Sequence, residues 1–480
     1  MSGMVKLPAA FLNRMKSLLG TEYDAFIQSY EQERYYGLRR NPLKASTEAF
    51  EERIPFALEP VSWAREGYYY QVGEQPGRHI LHEAGAYYIQ EPSAMAVAEI
   101  LEPQPGEYIL DLCAAPGGKS TQIAGRMAGK GLLVSNEIIP GRAKILSQNV
   151  ERMGIRNCVV CNETPERMAV FFPNFFDRIV VDAPCSGEGM FRKDETAAAE
   201  WSEEHVFMCA DRQYGILLEA AKMLKPGGVL VYSTCTFAPE EDEGVISRFV
   251  RENEMFVIEE ACHDSAFVQG RGDWIDDPAD GIEHTMRLMP HRLKGEGHYI
   301  ARLRRQEIFP GSGGKWESGI AERSTFAEER NGRKKEDKRF DRAPADEISH
   351  FLTNELGLSA DWLERQDGVL QNFGEQIYLV PRAMRSMQGM KVVRAGLHLG
   401  TSKKNRIEPS HALALALHIE ETERRMELTE QEAERYLHGE VLSGTSQKGW
   451  ILLTYEGYPL GFGKAAGGQI KNHYPKGLRK

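Results

Sequence analysis

The sequence predicts an α/β fold: a mostly parallel sheet with helices on both faces and an antiparallel edge. From Tyr108 onward, apolar strand-like runs at 108–113, 132–137, 158–162, 178–183 and 228–235 alternate with helical stretches. Such alternation argues for a parallel sheet covered on both sides. Segments 255–260 and 297–304 follow as candidates for the antiparallel edge. At 480 residues the chain exceeds one ordinary core, so two or three domains are expected.

Bulk properties narrow the class. Hydrophobic residues at 41% and charged residues at 27% give the balance of a soluble globular protein. No run approaches the ~20 apolar residues of a membrane span, and the N-terminus carries no signal-peptide core. Seven cysteines without a regular framework fit free thiols in a reducing compartment. A cytoplasmic protein with no membrane partner is therefore expected. The net charge of −11 argues against nucleic acid on average, but phosphate is bound by local patches. Between Arg382 and Arg406 there are seven Lys or Arg and no acid, and Lys464–Lys480 holds five more, again without an acid. Each run also has the ordinary reading of a solubilising surface.

In chain order, residues 1 to about 30 read as two short helices, with Phe11, Met15, Leu18 and Leu19 at helical spacing. Leu38–Lys44 is basic and broken by proline, a strand or loop edge. Residues 79–92 read as a hairpin region, and a helix follows from Ser93 as N-cap to about Leu101. After the alternating core, 306–345 is charged and poor in apolar residues, a flexible linker. A second globular region starts near 346, with helix-like stretches at 409–420 and 429–438 and strand-like ones at 450–455 and 458–463.

Three sites carry chemistry. The strand at 108–112 runs into Cys113-Ala114-Ala115-Pro116-Gly117-Gly118-Lys119-Ser120 and then a helix. Small residues there let a ligand approach the backbone, with amides free at the helix start. A P-loop needs glycine where Cys113 stands, and the G-x-G-x-x-G dinucleotide fingerprint is absent. The next strand ends in Glu137, placed to accept hydrogen bonds from a ribose diol. Finally, Asp182-Ala183-Pro184-Cys185-Ser186-Gly187 and Ser233-Thr234-Cys235-Thr236 each end an apolar strand. If those strands are neighbours, about 4.8 Å apart, both thiols reach one small substrate. A thiolate adding to C6 of a pyrimidine makes C5 electron-rich enough to take an electrophilic methyl. Asp182 would hold the N3 and N4 edge of a cytosine, and Lys119 would add positive charge nearby. The ordinary fate of a free cysteine is a small buried hydrophobe, and Cys209 and Cys262 are read that way. Cys158 and Cys161 sit within a strand on opposite faces, with no second pair to make a zinc site, so no metal is expected.

These three stretches, with Asp111-Leu112 leading into the first, closely resemble the RNA cytosine-5 methyltransferases of the Sun type. Arg39-Arg40-Asn41-Pro42-Leu43-Lys44 resembles that family's R-x-N-x-L-K element, and Gln90-Glu91-Pro92-Ser93 resembles its next block. Met289-Pro290-His291 and Glu296–Ala301 are similar to its last sheet strands; the likeness covers residues 1–305. Residues 459–464 and 471–479 resemble the ending of the RsmF/YebU-like bacterial branch, whose tail resembles a PUA-type RNA-binding domain.

The resemblance implies a Rossmann-like class I methyltransferase sheet, S-adenosyl-L-methionine as cofactor, and 16S (small-subunit) rRNA or the 30S subunit as partner of a monomeric enzyme. It makes Cys235 the attacking thiol and Cys185 the one that assists release. DNA cytosine-5 enzymes use the other thiol, so position alone does not choose. Cys113 to Lys119, Glu137, Arg142, Asn162, Thr164 and Asp182 fall at positions that hold the cofactor. The adenine-side acid expected after the third strand is replaced by Asn162, Glu163 and Thr164, and Asp242 stands where Asn is common. The implied domains are an N-terminal RNA-binding extension (1–100), a methyltransferase domain (101–305), the linker (306–345) and a C-terminal RNA-binding region ending in a PUA-like domain (346–480). Open alternatives are the same chemistry on tRNA or DNA, and a non-catalytic ribosome-assembly factor. Methylation of a protein or small molecule would leave the paired cysteines unexplained.

Overall fold

The computed structural model describes residues 6–193, 195–261, 264–307, 345–404 and 406–480. Cys262 and nearly all of the expected 306–345 linker lie outside them. Among the described residues no helix is long and apolar enough to cross a membrane.

The centre is a ten-stranded sheet. Its strands, numbered in chain order within the sheet, are β1 (Tyr108–Asp111), β2 (Leu132–Asn136), β3 (Cys158–Cys161), β4 (Phe176–Asp182), β5 (Leu224–Thr234), β6 (Phe256–Ile258), β7 (Val268–Gln269), β8 (Met286–Leu288), β9 (His298–Arg305) and β10 (Val392–Ala395). The order is β7-β8-β9-β5-β4-β1-β2-β3-β10, with β6 also pairing β9. β3, β2, β1, β4 and β5 run parallel, whereas β9 is antiparallel to β5 and β10 antiparallel to β3. The apolar runs of β1–β5 are buried on both faces, as central parallel strands must be. Cys158 and Cys161 fall in the cores on opposite faces of the sheet. The chain winds outward from β1 to β3 and restarts at β4 on the other side, so the crevice opens between β1 and β4.

The N-terminal region differs from the sequence reading in three places. Helices Ala9–Leu19 and Tyr23–Ser29 form as expected and pack Phe11 and Phe26 against Phe191, Trp201 and Phe237 beside the thiol loops. Residues 79–92 are not a hairpin. His79 Nδ1 accepts from Leu81 N (3.1 Å) and starts a short helix, Ile80–Glu83, and Tyr87–Ile89 instead pairs with Tyr36–Arg40 in a four-stranded sheet. Ser93 is not an N-cap: it opens a 3₁₀ turn ahead of helix Ala96–Leu101, and its Oγ accepts from Gly297 N.

The third difference concerns charge. The basic Arg39–Lys44 element, which lies within the expected N-terminal RNA-binding extension, is not free to meet phosphate, because its polar groups point inward. Arg39, 1% exposed, donates to Gln90 Oε1 (2.5 Å), the Gly118 carbonyl (2.7 Å) and Thr121 Oγ1 (2.8 Å). Asn41 Nδ2 donates to the carbonyls of Gly85 and Met153. Lys44 donates to the Ala84 carbonyl, and burial, aided by Arg152, pulls its ammonium down to about 7. The element ties the N-terminal sheet to the glycine turn.

The C-terminal region holds a four-stranded sheet (Gly368–Phe373, Gln376–Pro381, Leu397–Lys403, Arg406–Pro409) and a five-stranded one ending in Gly449–Tyr455, Tyr458–Ala466 and Gln469–Asn472. Helix Glu430–Leu437 begins with a capping box from Thr429 and Glu432. The expected helix at 409–420 is shorter, His411–Ala416 followed by a 3₁₀ turn. The region docks tightly. β10 extends the central sheet, Arg156 donates to the Ala416 carbonyl (2.5 Å) and pairs with Glu421 (2.5 Å), and Leu38, Phe50 and Leu81 share a core with Tyr436, Leu453 and Leu460. The run Arg382–Arg406 is largely neutralised: Arg382 meets Asp367, buried Arg394 meets Glu151, Lys403 meets Glu375 and Arg406 meets Glu408.

Candidate active site

An open cleft of about 1020 Å³ lies at the carboxyl ends of β1, β2, β4 and β5. Cys113, Ala115, Glu137, Arg142, Thr164, Asp182, Cys185 and Cys235 all line it. On its floor, Asp182 at the end of β4 pairs with Ser233 near the end of β5. The loops that follow bring Cys185 Sγ to 3.3 Å from Cys235 Sγ. The contact with Cys235 and burial push the Cys185 thiol well up, so Cys185 keeps its proton; either sulfur can donate across the 3.3 Å contact.

Asp182 is the charged centre. Burial alone would raise its carboxyl, but the Lys119 ammonium at 2.7 Å and His298, whose Nε2 is 3.6 Å away, hold it well below the usual carboxylate range. Ser233 Oγ donates to its Oδ1 at 2.8 Å. It is an ionised acceptor at neutral pH.

The other half of the cleft fits a nucleoside. Gly117 has φ of 118°, a left-handed conformation that turns the chain from β1 into helix Gly118–Met127. Glu137 is buried with one edge on the cleft; its Oε1 accepts from Ile139 N (2.9 Å), and Arg142 Nη1 lies 3.5 Å from its Oε2. Ile138 and Ile139 beside it are 55% and 50% exposed, an apolar wall next to a buried carboxylate. Arg142 also donates to the Ala115 carbonyl, fixing the turn. Burial pushes the Cys113 thiol up, so it faces the cleft as a neutral group.

Not every sequence candidate faces the cleft. Ala114, Pro116, Gly117, Gly118 and Lys119 shape or back the turn rather than line it, Lys119 acting through Asp182. Asn162 Nδ2 donates to the carbonyls of Glu137 (2.7 Å) and Ile138 (2.9 Å), so it positions their turn. Glu163 pairs with Arg167 and accepts from Lys391 N, turned toward β10. Thr164 lines the cleft and caps helix Pro165–Phe171.

Sequence reasoning missed four groups. His298 was read only as part of a strand; register makes the difference, because Tyr299 beside it pairs with Thr234, the residue before Cys235. Glu241, fully buried, accepts from Ser186 N (2.9 Å) and Gln213 Nε2 (2.8 Å) and so holds the loop after Cys185; burial raises its carboxyl to about 7. Glu188 accepts from Arg14, Trp201 Nε1 and Phe237 N, joining the N-terminal helix to both thiol loops. Asp111, which accepts from Ser120 Oγ (2.6 Å) behind the glycine turn, is raised to about 7 by burial. Asp242, at the N-terminal end of helix Glu243–Glu252, gives no capping bond; it accepts from Thr234 Oγ1 (2.6 Å) and meets buried Arg287 at 3.2 Å.

Residues 98–304 match the family described as 16S rRNA methyltransferase RsmB/F, and 7–92 match the N-terminal domain of 16S rRNA methyltransferase RsmF. A ribosomal RNA small subunit methyltransferase F from Vibrio parahaemolyticus is 32% identical across 99% of this chain and 98% of its own. The chain belongs to the ribosomal RNA small subunit methyltransferase F family. Residues 351–417 match the first C-terminal domain of RsmF rRNA methyltransferase, and 423–480 its PUA domain. A Vibrio campbellii member of the family is 31% identical over 99% of this chain and 98% of its own. Among solved structures, a methyltransferase homolog from Pyrococcus horikoshii is 27% identical, covering 63% of this chain and 96% of its own with a TM-score of 0.56. NSun6 from Pyrococcus horikoshii, solved with SFG, shares the fold at 21% identity and a TM-score of 0.54, covering 64% of this chain and all of its own.

Proposed function

We propose that this methyltransferase places a methyl group on C5 of cytosines in small-subunit rRNA through a covalent bond between Cys235 and C6. The observation that carries the reading is the pair of sulfurs 3.3 Å apart in the cleft that Glu137 and the glycine turn share. The methyl donor is S-adenosylmethionine, held by the turn at 113–119, Glu137 and the Ile138 wall, and it supplies an electrophilic methyl group.

The residues divide the work. Cys235 is assigned as the nucleophile because burial and the contact between the sulfurs keep Cys185 protonated; Cys235 attacks as the thiolate, its proton passing to solvent in the open cleft. Its bond to C6 pushes electrons to C5, which takes the methyl group. Asp182, held ionised by Lys119, accepts from the cytosine N4 amine, and the Lys119 ammonium beside it steadies the negative charge that the addition sends onto the ring. Solvent in the open cleft then takes the C5 proton, the electron pair of that C–H bond re-forms the C5–C6 double bond and expels Cys235 as the thiolate, and Cys185 lies next to the breaking bond. A base within a stem must leave the stack to enter the cleft.

The test uses methyl-labelled cofactor with 16S rRNA, followed by bisulfite mapping. Label in 5-methylcytosine is expected. Cys235→Ala should lower transfer by about 10⁴-fold or more, whereas Cys185→Ala should leave protein bound covalently to RNA on a denaturing gel. A covalent species with Cys235→Ala instead reverses the two roles, and label on transfer RNA in preference to 16S rRNA changes the substrate.

A further inference from the structure

A second cleft, of about 670 Å³, opens at the edge of the N-terminal sheet and takes no part in holding the methyl donor. Tyr35, Tyr36, Tyr69 and Tyr70 line it together with Arg34 and Lys294. Tyr36 and Tyr70 face each other across antiparallel strands with ring centroids 5.7 Å apart, and Tyr35 and Tyr69 lie 6.1 Å apart. Arg34 sits over the Tyr36 ring at 5.3 Å and donates to its hydroxyl; among the described residues it makes no direct ion pair, though its charge is felt by Glu296. Lys294 lies over the Tyr69 ring at 5.3 Å and is paired with Glu59.

We propose that this tyrosine-lined cleft is a stacking site for one unpaired nucleobase of the RNA strand whose cytosine enters the thiol cleft. The inference rests on the RNA-methylation reading above. Three features favour a base. Aromatic faces that accept any base are what single-stranded RNA sites use. Glu33 and Glu59 on the rim balance Arg34 and Lys294, so the cleft is not an anion trap; it suits a flat neutral ring, with Arg34 left to meet the adjoining phosphate. Position is the third. Lys294 in this cleft and His298 beside Asp182 are four residues apart, so their backbones are separated by no more than about 14 Å. A strand passing from one cleft to the other needs only a few nucleotides.

The test measures affinity of the full-length protein for a short single-stranded RNA carrying one cytosine, and for copies with an abasic sugar at each neighbouring position. Wild-type protein should lose about tenfold in affinity at one neighbouring position, the scale of one stacked base. Tyr36→Leu and Tyr70→Leu should each bind the intact RNA about tenfold more weakly and no longer sense that abasic position; Tyr36→Phe should behave as wild type. The slope of affinity against salt should stay unchanged, since stacking neutralises no phosphate. Binding of S-adenosylmethionine at wild-type strength reports that the variants are folded. Wild-type protein indifferent to every abasic position overturns the proposal whether or not the variants fold. Leucine variants with unchanged affinity, or weakened equally for intact and abasic RNA, also overturn it, the latter pointing to a protein partner or a structural role. Methyl transfer is scored separately: stacking without transfer sinks the methylation reading and keeps this one, and transfer without stacking does the reverse.

Discussion

Two groups of charged residues in this molecule are used in opposite ways. Around Asp182, Lys119 and His298 meet a carboxylate at the floor of an open cleft, and the charge remains available to a substrate. In Arg39–Lys44 similar groups are spent on carbonyls and amides of the chain itself. The difference lies in the backbone around them. Strand ends at the point where the winding reverses leave a crevice that no side chain of the sheet fills, whereas the N-terminal sheet meets the glycine turn through Arg39, Gln90 and Tyr88 and buries what stands between. Charge at the first place is chemistry, and at the second it is a brace.

Substitutions sharpen that contrast. The largest effect is expected at the cleft: Asp182→Asn removes the fixed negative charge, and transfer should fall by about 10²–10³-fold, far more than the loss of stability from unpairing Lys119 accounts for, measured by label transfer beside urea denaturation. Arg39→Leu should do the reverse. It strands the Gly118 carbonyl, Gln90 and Thr121 and should cost roughly 3 kcal/mol of stability by denaturation. If Arg39→Leu leaves stability intact, the brace is no brace.

Glu241 sits between the two cases, buried yet next to the thiol loop. Its carboxyl, about 7 when folded, is raised above the unfolded value, so the folded protein holds the extra proton between about pH 4 and 7. Stability attached to this group is therefore lost as pH rises through that window. Between pH 5 and pH 8, urea unfolding of the wild type should lose on the order of 2 kcal/mol more than Glu241→Gln does, the remainder belonging to other buried carboxyls such as Asp111. The smallest effect is expected on the surface. Lys471 and Lys476 are exposed and, among the described residues, unpaired, so removing either should lower the salt slope of RNA binding by about one. Lys403→Gln, already neutralised by Glu375, should leave it nearly unchanged.

What could be read in advance follows the same division. The thiol loops, the glycine turn and Glu137 were legible because each is a local event: an apolar run, its end, and small or reactive residues just beyond. The inward turn of Arg39 and the pairing of Arg382, Arg394, Lys403 and Arg406 were not, since a run of like charges does not say which acids fold against it. The sheet at 368–409 was missed because Gly368–Phe373 is half-buried along its whole length and shows no alternation. His298 needed register, which only the assembled sheet supplies.

β10 carries a consequence of its own. Four residues of the C-terminal region, Val392–Ala395, cover the outer rim of β3, pairing amides and carbonyls that would otherwise face water. A version trimmed after residue 307 would bare that rim, and an uncapped, apolar strand recruits any similar strand it meets. Shrinking the chain to residues 1–307 should thus favour clumping, and the C-terminal region guards solubility by covering that rim.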